Sequence, residues 1–416
     1  MNQTPRGNRI HIALFGKRNA GKSSVINGLT NQSLSVVSDV KGTTTDPVYK
    51  AMELLPIGPV VLIDTAGLDD AGTLGDLRVK KTIEVLNKTD LALLVIDATE
   101  GVSHFDIELV RTIKDKKIPV LGILNKIDLQ TITDAQVSAY EKSLGISITS
   151  VSSTLKTGFE TLKYNMIKVL PDDDDKFKLV GDLIQPSDFV VLVVPIDKAA
   201  PKGRLILPQQ QVIRDILESD AMAIVTKEYE LKETLESLGK KPKLVITDSQ
   251  VFSKVAADTP KDIMLTSFSI LFARYKGDLV EMVKGAKTLD TLKDNDKILI
   301  AEGCTHHKQS DDIATVKIPR WIRGYTGKKI NIDYASGMSY PDNVEDYKLI
   351  IHCGGCMLNK REVGHRISTA VTHEVPIVNY GVLIAYVQGI MPRVLEPFPL
   401  AMMILEQSVP PVRDSL

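Results

Sequence analysis

The chain has 416 residues, of which 43% are hydrophobic and 25% charged, and a formal net charge of -1. That length exceeds one ordinary core, so a soluble protein of two or three domains is expected. The near-zero charge excludes a global field toward nucleic acid or an acidic membrane. No apolar run reaches the roughly 18 residues of a membrane-spanning helix.

The opening stretch, MNQTPRGNRI, has no apolar core of signal-peptide length. Three cysteines, an odd number without a leader, argue against a disulfide framework and for a reducing, cytoplasmic setting. From residue 9 to about 170, short β-branched runs alternate with amphipathic stretches. RIHIALFG, VVLIDTAG, LALLVID and IPVLGILNK read as buried strands, and KSSVINGLTNQ and DLRVKKTIEVLNK as helices. This is the rhythm of a mostly parallel sheet covered by helices. PDDDDKFK, residues 171–178, reads as a solvated linker because like charges resist burial.

A second α/β rhythm follows to about residue 262. DFVVLVVPID, AMAIVTK and KPKLVITDS read as strands, and QQQVIRDILES and ELKETLESLG as helices. Gly239, with Pro242 beyond it, looks like a C-cap. Arg204 is a lone charge with no chemistry around it. The third segment, 263–416, holds all three cysteines and five of the seven histidines. KILIAEGCTHH and YKLIIHCGGC each place a buried-type strand directly before metal-binding residue types, and VPIVNYGVLIAYVQG adds a strand and a helix. The expected organisation is therefore α/β throughout, with domains at 1–170, 171–262 and 263–416.

The first domain carries five motifs in order. Residues 16–23, GKRNAGKS, fit the P-loop pattern after a strand and before a helix. Gly16, Asn19, Ala20, Gly21 and Ser24 form the phosphate cradle. Lys22 is placed to reach the β- and γ-phosphates, and Ser23 to ligate Mg2+. DTAG, residues 64–67, gives Asp64 for water-mediated Mg2+ binding and the Gly67 N–H as γ-phosphate sensor. GTTTD, residues 42–46, supplies a threonine that can close on Mg2+. NKID, residues 125–128, contributes Asn125, Lys126 and Asp128. The Asp128 carboxylate matches the N1–H and 2-amino donor pair of guanine, which adenine lacks. VSS, residues 151–153, brings Ser152 and Ser153 to the guanine O6 edge. Together these spell a GTPase, with Lys22 and Gly67 in catalytic roles.

On these motifs the domain resembles the translation-factor-like GTPases, closest to the bacterial branch of tRNA-modification and ribosome-assembly enzymes. That resemblance assigns Mg2+ ligation to Thr44 and K+ ligation to Asn19. Ras-like GTPases orient the attacking water with a glutamine after the D-x-x-G glycine. Here that residue is Leu68, so hydrolysis is expected to depend on a cation, and Asn19 makes K+ the candidate. Asp69 and Asp70 read as solvated acids of a loop.

The cysteines admit several chemistries. Cys304-Thr305-His306-His307 and His352-Cys353-Gly354-Gly355-Cys356 each follow a strand, and loops at the carboxyl ends of neighbouring parallel strands converge. A redox dithiol uses Cys353 and Cys356 and leaves Cys304 unexplained. Three thiolates and a histidine satisfy a closed zinc site. A 4Fe-4S cluster needs a fourth ligand beyond the three thiolates.

Cys-x-His, residues 307–351 intervening, then His-Cys-x-x-Cys, downstream of a GTPase domain, resembles the FeFe-hydrogenase maturation GTPases, the HydF family. The resemblance spans the GTPase, middle and C-terminal segments. It implies a 4Fe-4S cluster on Cys304, Cys353 and Cys356, with His306 or His352 as possible fourth ligand. It also implies homodimerisation through the middle domain. The implied role is scaffold and carrier of a di-iron precursor, received from radical-SAM maturases and delivered to apo FeFe-hydrogenase. His307, His365 and His373 match no ligand position. The runner-up is an RNA-modification or ribosome-assembly GTPase with structural zinc. It would call for a basic RNA-binding face, and no concentrated Lys/Arg run marks the C-terminal segment.

Overall fold

The computed structural model describes residues 6–30, 47–65, 73–170, 178–195, 205–303, 312–337, 340–341 and 343–407. It forms two compact units, 1–175 and 176–416.

In the first unit the order is β1 Ile10–Phe15, α1 Lys22–Thr30, β2 Val48–Leu54, β3 Gly58–Asp64, α2 Thr73–Leu86, β4 Leu91–Asp97, α3 His104–Asp115, β5 Val120–Asn125, α4 Asp134–Leu144, β6 Ile148–Ser150 and α5 Phe159–Val169. The sheet runs β2-β3-β1-β4-β5-β6. Only β2 is antiparallel, pairing with β3 from Val48↔Asp64 to Leu54↔Gly58. β1 and β4 are apolar on both faces because helices cover both. The carboxyl ends of β1, β3, β4 and β5 therefore lie along one edge, which the parallel register fixes.

The second unit contains two four-stranded parallel sheets. The first uses β7 Phe189–Val193, α6 Leu207–Glu218, β8 Met222–Thr226, α7 Leu231–Ser237, β9 Leu244–Thr247, α8 Phe252–Asp258 and β10 Met264–Ser267. The helices α9 Phe268–Lys276 and α10 Leu279–Lys287 lead on. The second sheet uses β11 Lys297–Glu302, α11 Ile318–Thr326, β12 Asn331–Ser336, β13 Leu349–His352, α12 Lys360–Thr372 and β14 Ile377–Asn379. Three helices close the described chain: α13 Tyr380–Val387, α14 Met391–Leu395 and α15 Pro399–Glu406. The strand orders are β10-β9-β7-β8 and β12-β11-β13-β14. Read from the first strand outward, the two sheets have the same topology. One apolar core runs through both.

Two expectations are corrected. β10, Met264–Ser267, lies beyond the boundary placed at 262 yet pairs in parallel with β9, so the middle sheet extends past it. Gly239 is not the cap of α7. The helix ends at Ser237, and Leu238, with an extended backbone (ψ 124°), leads the chain away. Among the described residues no helix is long and apolar enough to cross a membrane.

Candidate functional site

In the first unit the chain leaves β1 at Phe15 and enters α1 at Lys22. Gly16 and Gly21 stand at φ +140° and +92°, and Asn19 takes the left-handed conformation at +61°. A Cβ on Gly16 would lie 2.3 Å from the Val95 carbonyl oxygen, and one on Gly21 2.3 Å from Asn125 Nδ2. Only glycine permits this close approach of the loop to β4 and β5. Mixed left- and right-handed residues turn successive N–H groups inward, and the α1 N-terminus adds positive potential, an anion cradle.

Lys22 is buried at 8% exposure. Its ammonium donates to the carbonyls of Gly16 (2.9 Å) and Lys17 (2.7 Å), across the mouth of the loop. Ser23 Oγ donates to Asp64 Oδ2 at 2.5 Å. Burial raises the Asp64 carboxyl above its ordinary range, against the pull of Ser23, Lys22 and Lys50. A hydroxyl and a desolvated carboxylate this close fit the donor set that Mg2+ takes beside phosphates. Ser24 is exposed on the first turn of α1.

Asn125 ties together the loops that follow β1, β5 and β6. Its Nδ2 donates to Ala20 O at 3.1 Å. Its Oδ1 accepts from Ser153 Oγ at 2.9 Å and Ser153 N at 3.3 Å. Ser152 Oγ donates to Asp128 Oδ1 at 2.5 Å, and that bond first of all holds the Asp128 carboxyl below its ordinary value. Asp128 therefore stays an acceptor, as guanine recognition requires. Lys126, at φ +66°, sends its ammonium to Asp97 at 2.5 Å. Burial pushes the Asp97 carboxyl up, but Lys126 and Thr99 outweigh it and the net shift is downward. Asp97 was missed from the sequence. Its signal was an acidic residue ending LALLVID, the strand next to the P-loop strand. Thr44, Gly67 and Leu68 lie outside the described residues.

In the second unit the cysteine loop sits where the strand order of the last sheet reverses, between β11 and β13. Crevices at such switch points, outside the carboxyl ends of the strands, are the usual ligand sites of parallel sheets. Gly303 N, just after β11, donates to Cys353 Sγ at 3.0 Å, and Gly355 N to the same sulfur at 3.4 Å. Burial pushes the Cys353 thiol up, and these two N–H groups pull it down. Cys353 and Cys356 are free and half-buried. Both precede α12, whose cap Asn359 accepts from Glu362 N at 3.0 Å, so neither opens a helix as a redox dithiol would.

Three further residues shape this loop. His352 is buried, with Nδ1 at 2.6 Å from Cys353 O and Nε2 at 3.2 Å from an Arg366 nitrogen. Burial, then Arg366, lowers its pKa to about 4, so the ring is neutral. Both nitrogens are engaged, and ligation through Nε2 would require release of Arg366. Arg366 is 1% exposed. It also donates through Nε and a terminal nitrogen to Glu362 Oε1 (3.1 and 3.0 Å) and to Gly337 O (3.0 Å). Lys276 Nζ meets Gly355 O at 3.1 Å, Leu358 O at 2.8 Å and Cys356 O at 3.5 Å. Burial lowers its pKa to about 8, against the pull of Cys356 and Cys353. Cys304, His306 and His307 lie outside the described residues. Among the described residues no three Cys, His, Asp or Glu side chains gather as a metal site. His373 is exposed near the end of α12, with Nδ1 on Thr369 O at 2.8 Å.

Comparison with known families decides the affiliation. Residues 179–277 match the hydrogen maturase F dimerization domain, and 280–397 the hydrogen maturase F tetramerization domain, together more than half of the chain. The chain belongs to the hydrogen maturase F family. Residues 11–126 match a further model, the 50S ribosome-binding GTPase. The two maturase domains are named for association of copies, which is the family's organisation.

The GTPase domain has relatives elsewhere. It is 37% identical over 137 residues to GTPase Der of Mycoplasmopsis pulmonis, covering 32% of this chain and 31% of that protein. It is 35% identical over 165 residues to the tRNA modification GTPase MnmE of Desulforamulus reducens, covering 38% and 34%. The maturase chain thus spans about a third of the length of these relatives. A point variant of Era from Aquifex aeolicus, crystallised with GDP and AlF4-, aligns at 20% identity and a TM-score of 0.35, over 55% of this chain and 98% of that one.

Proposed function

We propose that this hydrogen maturase F chain is a Mg2+-dependent GTPase that serves as scaffold and carrier in FeFe-hydrogenase maturation. Its C-terminal cysteines hold a 4Fe-4S cluster on which a di-iron precursor is received from radical-SAM maturases and passed to apo-hydrogenase. The observation that carries the reading is the bond from Gly303 N–H to the Cys353 sulfur. It ties the loop after β11 to the loop after β13, and Cys304 is the next residue in sequence after Gly303.

In the nucleotide site the P-loop amides receive the phosphates, and Lys22 exchanges its loop carbonyls for β- and γ-oxygens. Ser23 and Thr44 would hold Mg2+, and the Gly67 N–H would serve the γ-phosphate. Asp128 accepts from guanine. Leu68 has no group to orient water; Asn19 would hold a K+ ion, which would supply the missing charge. GTP hydrolysis is expected to run faster in KCl than in NaCl at equal ionic strength; equal initial rates would remove the role given to Asn19.

In the cysteine site, Cys304, Cys353 and Cys356 supply the thiolates, and His306 or His352 stands ready for the fourth iron. The cluster, when bound, offers an exchangeable iron position where cargo is held and released. Gly303 and Gly355 N–H groups stabilise the Cys353 thiolate by donating to it. The direct test is transfer: loaded chain added to apo-hydrogenase should restore hydrogen evolution, and chain carrying Cys353→Ala should not. Full restoration by the variant would contradict the assignment.

Copies associate through the middle sheet. Among the described residues β8 is an edge strand with one side unpaired, and its Met222 and Val225 are 45% and 48% exposed. An exposed apolar edge is a template for a second copy. Val225→Lys should shift the light-scattering mass toward a smaller species at micromolar concentration, and an unchanged mass would place the contact elsewhere.

A further inference from the structure

We propose that Lys276 is the positioning residue through which the dimerization domain holds the cysteine loop and sets the reduction potential of the cluster bound there. The proposal rests on the cluster reading above. Lys276 ends α9, which follows β10 directly, and both fall in the segment matched by the dimerization model. The loop 353–358 falls in the segment matched by the tetramerization model. The ammonium crosses that divide to reach Gly355 O, Leu358 O and, at longer range, Cys356 O.

Lys276 is 3% exposed, and its Nζ lies 5.6 Å from the centroid of the Phe272 ring. A buried ammonium is costly unless its donors are satisfied. The carbonyls account for its three donors, which fixes the turn between Cys356 and α12. Among the described residues no carboxylate pairs with it. The groups that interact with its charge are Cys356 and Cys353. A fixed positive charge in a poorly solvated site favours added negative charge nearby. Reduction of the cluster adds one electron from an external donor, with no proton or ligand moved. Lys276 therefore favours the reduced form and raises the midpoint potential.

The test uses the full chain as wild type, Lys276→Met and Lys276→Arg, reconstituted anaerobically with iron and sulfide. A dithionite titration followed by EPR reads the midpoint. In Lys276→Met the ratio of reduced to oxidised cluster at the wild-type midpoint should fall about tenfold, a shift of about 59 mV for one electron. Lys276→Arg should restore most of it, which a packing role alone would not explain. In the metal-free chain, amides 353–358 should exchange hydrogen about tenfold faster in Lys276→Met, with β7 and β9 unaffected.

Wild-type midpoint and wild-type exchange in Lys276→Met would overturn the proposal. A shifted midpoint with unchanged exchange would overturn its positioning half. If the wild-type chain takes up no cluster, the cysteine reading fails, and the exchange measurement alone judges whether Lys276 anchors the loop. If Lys276→Met does not fold, Lys276→Gln, polar but uncharged, replaces it in both measurements.

Discussion

Lys22→Met is expected to lower kcat for GTP hydrolysis by about 10²–10³, the order of loss on removing one preorganised donor from a site of developing negative charge. The ammonium is held at the mouth of the P-loop by Gly16 O and Lys17 O. It is therefore already placed and needs little reorganisation when charge develops on the γ-phosphoryl oxygens. Methionine keeps the aliphatic bulk and removes the charge. Of the two carbonyls it leaves, that of Gly16 accepts in a buried bond and that of Lys17 in a part-buried one, so the thermal midpoint should fall as well. Single-turnover hydrolysis under saturating GTP reads the effect apart from affinity. A kcat within a factor of about two of wild type, smaller than any such loss, would mean that Lys22 serves the fold of the loop and not the reaction.

Arg366→Met should be the most damaging single change in the second unit, destabilising it by about 3–5 kcal/mol. Arg366 and Glu362 are both buried and face each other one helical turn apart on α12. Removing the guanidinium leaves the Glu362 carboxylate without its partner, and Gly337 O and His352 Nε2 without their donor. The double variant Glu362→Gln with Arg366→Met removes the stranded charge and should recover a good part of the loss. Trp321, the only tryptophan, lies on α11 in this unit and reports its unfolding. Urea titration followed by Trp321 fluorescence tests both variants. If the single variant unfolds at the wild-type urea concentration, the network is not what positions His352.

The strand ends that carry the nucleotide motifs were legible because each motif is local. A P-loop, a strand-ending DTAG and a strand-ending NKID carry their geometry within a few residues, and the parallel sheet brings the strand ends to one edge. The strands that went unread are β2, β6, β10 and β12, of which β6, ITS, has only three residues. VYKAMEL and NIDYAS are edge strands with polar, half-exposed patterns, and MLTS is too short for periodicity to show. Without β10, the middle domain was cut one strand too early. The groups around the cysteine loop were illegible for a different reason. Lys276 lies 79 positions before Gly355 and ends a helix, where a lysine ordinarily reads as a solvated cap. Arg366 and Glu362, spaced i,i+4, look like a surface ion pair until the fold buries them. Asn125 was read only as one of the nucleotide-binding residues, and its bonds to Ala20 and Ser153 join loops more than a hundred and nearly thirty residues away.

Under the proposed function the chain carries a 4Fe-4S cluster on Cys304, Cys353 and Cys356, the last two in the loop after β13 at the β11–β13 switch point. Anaerobic reconstitution with iron and sulfide, followed by EPR of the reduced protein, tests it on wild type, Cys353→Ala and Cys304→Ala. A reduced 4Fe-4S signal is expected in wild type, and its loss in both variants. A tightly bound zinc ion with no cluster signal in wild type, or an unchanged signal in either variant, would contradict it.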